Sequence, residues 1–354
     1  MTRELGISMN GETIVSYGDR DEHVTEHTEQ NYSNTIQRLA RNELRWVSFV
    51  TGHGERDPSG MANYDLLEWT KTLKSKGINS HTLNLTQQTS IPDNTAVLVI
   101  AGPQVDYLPG EIKIIEKYLN SGGNLLWLAD PGPLFKLESI ADILGIEFQP
   151  GIIVDPTTQD LRISDPRIAI ITEYPNHPIT ENFNVLTLFP QARSIVIKDK
   201  SAWKSTNLLN SLPRSWAEQG EMNDDIEFNA GVDLPGPLVI GVTLTRKITP
   251  SVTDANSSNP PSSQRTQRVI VVGDGDFLSN TFIGNGGNLN LGLSMMNWLS
   301  HDDQFITIPA TTTADIHLDL SPAAQAIIGF GFLIFLPLAF VGSGVLVWLK
   351  RRNR

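Results

Sequence analysis

The sequence predicts an α/β protein: a flavodoxin-like, doubly wound parallel sheet with an inserted β-rich segment, followed by one C-terminal transmembrane helix. Three observations lead there. The runs Ala96 to Ala101 (AVLVIA) and Asn124 to Ala129 (NLLWLA) are apolar at nearly every position, as strands buried on both faces are. Such strands alternate with helical patterns, which makes the sheet parallel with helices on both sides. Finally, VSFVTGHGERD and RVIVVGDGDFLSN, far apart in the chain, share one order of strand, loop of glycines and acids, and helix.

Taken from the N-terminus, Gly6 to Tyr17 reads as a hairpin with Asn10-Gly11 as its tight turn. Tyr32, Ile36 and Leu39 recur at helical spacing, so an amphipathic helix is expected from Thr28 to Arg41. Trp46 to Val50 is a strand. Tyr64 to Ser75 is a helix with Leu66, Leu67, Thr70 and Leu73 inward, and Gly77 is its stop. His81 to Leu85 is a strand, Glu111 to Leu119 a helix closed by Gly122-Gly123, and the two buried strands complete this half. Between Gly151 and Asp233 the rhythm fails, leaving short strands (Ile152 to Asp155, Ile168 to Thr172, Ser194 to Ile197) among Pro and Asn turns. Leu238 to Arg246 and Arg268 to Val272 are strands, and Leu291, Met295, Trp298 and Leu299 mark the face of the last core helix.

These elements divide the chain as follows: 1–42, hairpin and helix belonging to or linking an upstream domain; 43–150, first part of the core; 151–235, inserted subdomain. Next come 236–305, the last part of the core with a Ser/Pro/Asn-rich disordered excursion at 248–267, and 306–325, a juxtamembrane linker. Ala326 to Leu349 contains no charge over 24 residues. At ~1.5 Å per residue it covers about 36 Å, enough to cross a bilayer with some tilt. The tail, 350–354, is KRRNR, and with Trp348 at the interface it places the C-terminus in the cytoplasm. The body would then lie outside, yet the first 20 residues hold no apolar run that would export it, so a longer natural N-terminus is expected.

Composition removes several function classes. There are 27 Lys plus Arg against 39 Asp plus Glu, and four of the bases sit in the last five residues, leaving 23 against 39 before them. A body that acidic is not built to neutralise a nucleic-acid backbone. The chain has no cysteine, which excludes disulfides, thiolate metal sites and a cysteine nucleophile. No G-x-x-x-x-G-K-[ST] string and no dinucleotide fingerprint occur, so no nucleotide or other cofactor is expected and ATP is used on another chain.

Ligands of open α/β sheets sit beyond the carboxyl ends of the strands. Loops expected there carry Gly52, His53, Gly54 and Glu55; Asp130; and Asp274, Asp276 and Asn280. Together they form one candidate ligand-binding crevice. His53 with Glu55 has the makings of a base and its orienting acid, and Asp130, Asp274 and Asp276 could offer oxygens to magnesium or calcium. The plain alternative is that the glycines make turns and the acids cap helices. No G-x-S-x-G elbow exists, so no catalytic residue and no metal site is assigned. His23 and His27 read as part of a solvated polar stretch, and His177, in EYPNHPIT, as a turn histidine.

In order, VSFVTGHGERD, IPDNTAVLVIAGPQ, YLNSGGNLLWLADP, EYPNHPIT, SWAEQGE with DLPGPLVIGVTLTR, and RVIVVGDGDFLSN before NLGLSMMNWL resemble the GldG-like family. Its members are auxiliary components of ABC-type transport systems, linked in some bacteria to gliding motility. The resemblance runs from Glu12 to the C-terminus, and only the excursion departs from it. It implies a membrane-anchored protein of the bacterial inner membrane with a large extracytoplasmic part, partnered by a separate ATPase and permease. It further implies a core similar to class I glutamine-amidotransferase-like domains without their nucleophile, and an N-terminal extension with a membrane span. The opposing expectation is an amidotransferase-like or hydrolase-like enzyme that uses the crevice.

Overall fold

The computed structural model describes residues 46–301 apart from 182, 199–200, 221–225 and 249–264, together with 13–17, 20–24, a few positions between 27 and 39, and most of 332–352. It divides into two compact units, Met1–Ile306 and Thr307–Arg354.

The centre of the first unit is a seven-stranded sheet. Its parallel part comprises β3 (Trp46–Thr51), β4 (Asn79–Asn84), β5 (Thr95–Ala101), β6 (Leu125–Leu128) and β16 (Arg265–Val272). Across the sheet these lie in the order β16, β6, β5, β3, β4. Numbered by their succession in the chain, that is 2-1-3-4-5 read from β4, the flavodoxin-type order, with its switch point between β3 and β5. On the β16 side, β15 (Val239–Ile248) and β12 (Lys204–Asn210) extend the sheet antiparallel.

The apolar runs follow from this layering. Successive strand residues face opposite sides, so Val97, Val99 and Ala101 join one core while Leu98 and Ile100 join the other. The first core is covered by α1 (Leu67–Ser75) and α5 (Asn288–Leu299), through Trp69, Leu73, Leu291 and Met295. Trp69, absent from the inward face read from sequence, packs edge-on against Phe49 at 5.9 Å. The second core is covered by α2 (Pro109–Asn120) and α3 (Glu138–Leu144), through Ile115, Leu119, Ile140 and Leu144.

The segment expected as an inserted subdomain builds onto this core. β12 is an edge of the main sheet, and Phe189, Leu208, Leu209 and Ala217 share the first core. Around them are β7 (Ile146–Phe148) with β11 (Ile195–Ile197), β9 (Ile168–Ile171) with β10 (Thr187–Pro190), and a small sheet of β8 (Ile152–Val154), β13 (Trp216–Glu218) and β14 (Leu234–Pro235). A four-residue helix, α4 (Thr157–Asp160), joins β8 to β9.

Three expectations are altered. Ile248, Arg265, Thr266 and Gln267, placed in the disordered excursion, lie in the β15–β16 ladder, while 249–264 is outside the described residues. Strand β1 (Thr13–Tyr17) pairs with the downstream β2 (Arg20–Val24), Tyr17 opposite Arg20, where the sequence suggested only a solvated stretch. Gly18-Asp19, between them, is itself a hairpin sequence that the Asn10-Gly11 signal overshadowed; residues 1–12 lie outside the described set. The expected helix at 28–41 is described only at Tyr32, Thr35, Ile36 and Leu39, which are helical.

The expected membrane helix is described as α6 (Leu336–Arg352), 17 residues ending in Lys350, Arg351 and Arg352. Among the described residues no helix is long and apolar enough to cross a membrane. Most of 326–335, the remainder of the predicted span, lies outside them.

One polar side chain ties strands β5 and β16 and helix α5 together at the end of the sheet. Asn124 is buried, donates to the carbonyls of Ala96 (3.1 Å) and Leu299 (3.0 Å), and accepts from the amide of Arg268 (2.9 Å). Asn124→Ala leaves three backbone groups without this side chain's hydrogen bonds and is expected to lower the unfolding free energy by about 2–4 kcal/mol. Urea denaturation of wild type and variant measures it.

Candidate functional site

The loop after β3 crosses the carboxyl edge beside the switch point. Gly52 and Gly54 adopt φ of 119° and 76°, turns open to glycine. They aim the intervening side chains inward: His53 and Arg56 are buried, and the Glu55 side chain is 1 % exposed.

His53 sits between two glutamates. Its Nε2 is 3.0 Å from Glu111 Oε2, on the first turn of α2, and its Nδ1 is 3.6 Å from Glu55 Oε1. The ring stacks on Tyr107 at 4.1 Å, and the Tyr107 hydroxyl donates to Glu55 Oε1 at 2.5 Å. The two glutamates also serve the backbone, Glu55 accepting from the His53 amide and Glu111 from the Leu108 amide. Burial, and then the Glu55 charge, push the Tyr107 phenol well above its ordinary range, so the hydroxyl stays a donor.

Arg56, next in the chain, reaches the other predicted residues. Its Nη1 donates to Asp130 Oδ2 at 2.6 Å and its Nη2 to Asp130 Oδ1 at 3.1 Å, while Nη2 also donates to Asp276 Oδ1 at 2.7 Å. The guanidinium lies between the backbones of Gly102 and Gly275, where a Cβ on either would collide with it. Burial opposes its charge, but Asp130 and Asp276 outweigh that and raise its pKa. Asp274 is fully buried; its Oδ1 accepts from the Asp276 amide at 2.6 Å. Burial first, then Asp276 and Asp130, hold its carboxyl well above the usual range, which favours its neutral form. Arg193 donates to the carbonyls of Asp130 (3.1 Å) and Gly132 (2.8 Å), its pKa lowered by burial to about 10.

Seven of the eight predicted residues therefore lie along one edge, but the crevice expected among them is filled. Asn280 belongs elsewhere. It donates to the carbonyls of Gly60 and Ala62 and accepts from the Glu68 amide, stapling the β16 loop to the start of α1. The reading of three aspartates as ion ligands is replaced by a guanidinium in the place of the cation. Among the described residues no group of three or more histidine or acidic side chains is arranged to hold a metal. A pocket of about 100 Å³ opens beside Asp130, bounded by Gln104, Trp127, Pro131 and Phe135.

Sequence reading missed Arg56, Tyr107, Glu111 and Arg193. Arg56 had a signal, since three aspartates expected at one edge need a counter-ion and Arg56 adjoins Glu55. Tyr107, Glu111 and Arg193 had none. Of the other histidines weighed from sequence, His23 lies in β2, His27 stacks on Tyr32, and His177 both accepts from the Ile179 amide, as a turn residue does, and packs against Trp298 at 5.1 Å.

A model of ABC-type uncharacterized transport system proteins matches residues 45–306, which spans the whole sheet and the edge just described. The chain belongs to that ABC transport auxiliary family. No curated protein matches it. Among solved structures, the mmIFT52 N-terminal domain is similar with a TM-score of 0.51 at 16% identity, over 72% of this chain and 97% of that one. A ThuA-like protein from Bacteroides uniformis gives a TM-score of 0.42 at 15% identity, over 72% and 91% of the two chains. A GMP synthase subunit from Thermoplasma acidophilum gives 0.38 at 10%, over 75% and 98%. At such identities the likeness of this auxiliary-family chain to the first concerns fold alone.

Two stability effects follow from the edge. Arg56→Met strands Asp130 and Asp276 and is expected to cost about 3–5 kcal/mol in urea unfolding. Asp274 has a raised folded-state pKa, so its contribution is fully present below the unfolded value near 3.8 and is lost as pH rises through the folded value. Asp274→Asn is therefore expected to unfold at higher urea than wild type at pH 7, with the difference shrinking toward pH 4; an aspartate ionised in the fold would give the opposite trend.

Proposed function

We propose that the chain is a non-catalytic, membrane-anchored auxiliary component of an ABC-type transport system, an interaction or ligand-binding part whose ATPase and permease are separate chains. The observation that carries this reading is the state of the carboxyl edge. There the charged groups are spent on one another: Arg56 on Asp130 and Asp276, His53 between Glu55 and Glu111 and against Tyr107. An enzyme of this architecture instead holds a nucleophile or base open to substrate at that edge, and the family match supplies the system to which the part belongs.

The anchor is inferred from the uncharged run Ala326 to Leu349, whose later part lies in α6 (Leu336–Arg352). Leu338, Phe340, Val341, Leu346 and Trp348 are all exposed, an apolar surface that water would not favour. Arg352 lies 5.3 Å from the Trp348 ring, the pairing of aromatic and cation found at a membrane boundary. With the basic tail cytoplasmic, the body is extracytoplasmic, in the inner membrane of a bacterium.

A hydrolase-like reading has one observation in its favour, the 3.0 Å contact of His53 with a buried glutamate. Turnover of an ester, amide or glycoside panel by the full chain, abolished by His53→Ala, would establish it; none is expected.

The absence of cysteine makes topology directly testable. Met61→Cys, 87% exposed in the body, is expected to react with a membrane-impermeant maleimide in intact cells, and Arg354→Cys only after lysis. The reverse pattern would overturn the extracytoplasmic placement.

A further inference from the structure

We propose that Lys204, Lys247 and Arg268, on one face of the antiparallel end of the sheet, form a docking strip for the phosphates of anionic lipid headgroups. This rests on the membrane anchor proposed above and names the part of the body that meets the bilayer.

Register sets the strip. Lys204 in β12 lies opposite Thr245 in β15, and Thr245 lies opposite Arg268 in β16, so the three share one face. Successive strand residues alternate between faces, which puts Lys247, two after Thr245, on that face as well. At about 4.8 Å between neighbouring strands, the Lys204 and Arg268 positions are roughly 10 Å apart. Arg246, between Thr245 and Lys247, takes the other side, where it lies 4.3 Å from the Trp203 ring and donates to Gln267 and to the Leu119 carbonyl.

Charge here is one-sided. The three strands, KSTNLLN, VIGVTLTRKI and RTQRVIVV, contain five bases and no acid, in a chain with 39 acids against 27 bases. Lys204 and Lys247 are exposed, and among the described residues neither meets a carboxylate. Arg268 is held in place: it donates to the Trp298 carbonyl at 2.6 Å and lies 5.0 Å from the Trp298 ring. Its field reaches inward, since burial and then Arg268 lower the pKa of His177. Like charges gathered on one sheet face repel, a cost that an anion outside the protein would offset.

Two features select a lipid surface. The lysines stand on an open strand face and reach out separately, which suits a surface bearing many phosphates better than one enclosed ion. The chain also leaves the body beside the strip. Trp298, whose carbonyl Arg268 holds, is in the last turn of α5, and the uncharged run Ala326 to Leu349 follows in the same chain. Each Lys or Arg near an anionic lipid surface is worth about fivefold in the docked-to-free ratio, and salt weakens the attraction.

The test reconstitutes the full chain in nanodiscs. Because the chain has no cysteine, a single dye on Ala202→Cys, an exposed position beside Lys204, reports the distance to headgroup-labelled lipid by energy transfer. Transfer is expected to be high in phosphatidylglycerol discs and to fall in phosphatidylcholine discs and at high salt. In phosphatidylglycerol discs Lys204→Gln/Lys247→Gln is expected to lower the docked-to-free ratio at least tenfold, with thermal unfolding unchanged because both side chains are exposed. If the chain does not enter the discs, the anchor itself fails. If it enters and transfer is the same in both lipids, or the same in the double variant, the anchor stands and the strip is wrong. If inorganic phosphate raises the unfolding midpoint of wild type but not of the double variant, while the two lipids give equal transfer, the bases serve a soluble phosphate and the proposal is overturned.

Discussion

The carboxyl edge of this protein depends on one buried guanidinium. Arg56 is reached by loops from three strands of the sheet: its own after β3, Asp130 after β6 and Asp276 after β16. The backbones of Gly102 and Gly275 approach it so closely that a Cβ on either would collide with it. A buried ion pair is weak evidence for stability, since an apolar filling of equal shape can be as stable. Its geometric consequence is stronger. Planar donors fix the positions of two carboxylates on loops separated by more than a hundred residues, and those carboxylates hold further backbone, as the Gly275 amide on Asp130 shows.

The charges around Arg56 are mutually consistent. Arg56 and Arg193 bring two positive charges, Asp130 and Asp276 two negative ones. A third carboxyl in the same dry space, Asp274, has its pKa pushed up by burial and by those two aspartates. Its Oδ1 accepts from the Asp276 amide, and its Oδ2 is buried without a hydrogen-bond partner. Farther out, Asp106 is paired with Lys136 at 3.1 Å, and Asp57 is exposed.

Much of the fold was legible because it rests on local physics. AVLVIA and NLLWLA announce strands buried on both faces, and the observed cores divide their residues alternately between the two sides. Strand order was not legible, because the connections permit several, and neither was the attachment of β12, whose sequence KSTNLLN lacks an apolar run. At the site, the sequence located the edge and seven of its residues but not what they do. His53 and Glu55 are neighbours in the chain, whereas Tyr107 and Glu111, which complete their surroundings, come from a loop and a helix after a different strand. Asp130 and the Asp274–Asp276 pair looked like ligands because a carboxylate's partner is invisible until the chain is folded. Asn280 was misplaced since an amide after a strand-end loop serves equally to line a crevice or to staple a helix.

An α/β sheet gathers loops at its carboxyl edge whatever the protein does, so the edge is a place where function can be built and not evidence of which function. Here the interior of that place is occupied by Arg56 and by the His53 stack, and what reaches solvent is a small apolar hole, two apolar side chains on a pinned loop, and carboxylates. Filling the interior makes the loops rigid, and rigidity lowers the ordering cost of association. Under the auxiliary role proposed above, the residues that fill the interior also hold rigid the loops that meet a partner.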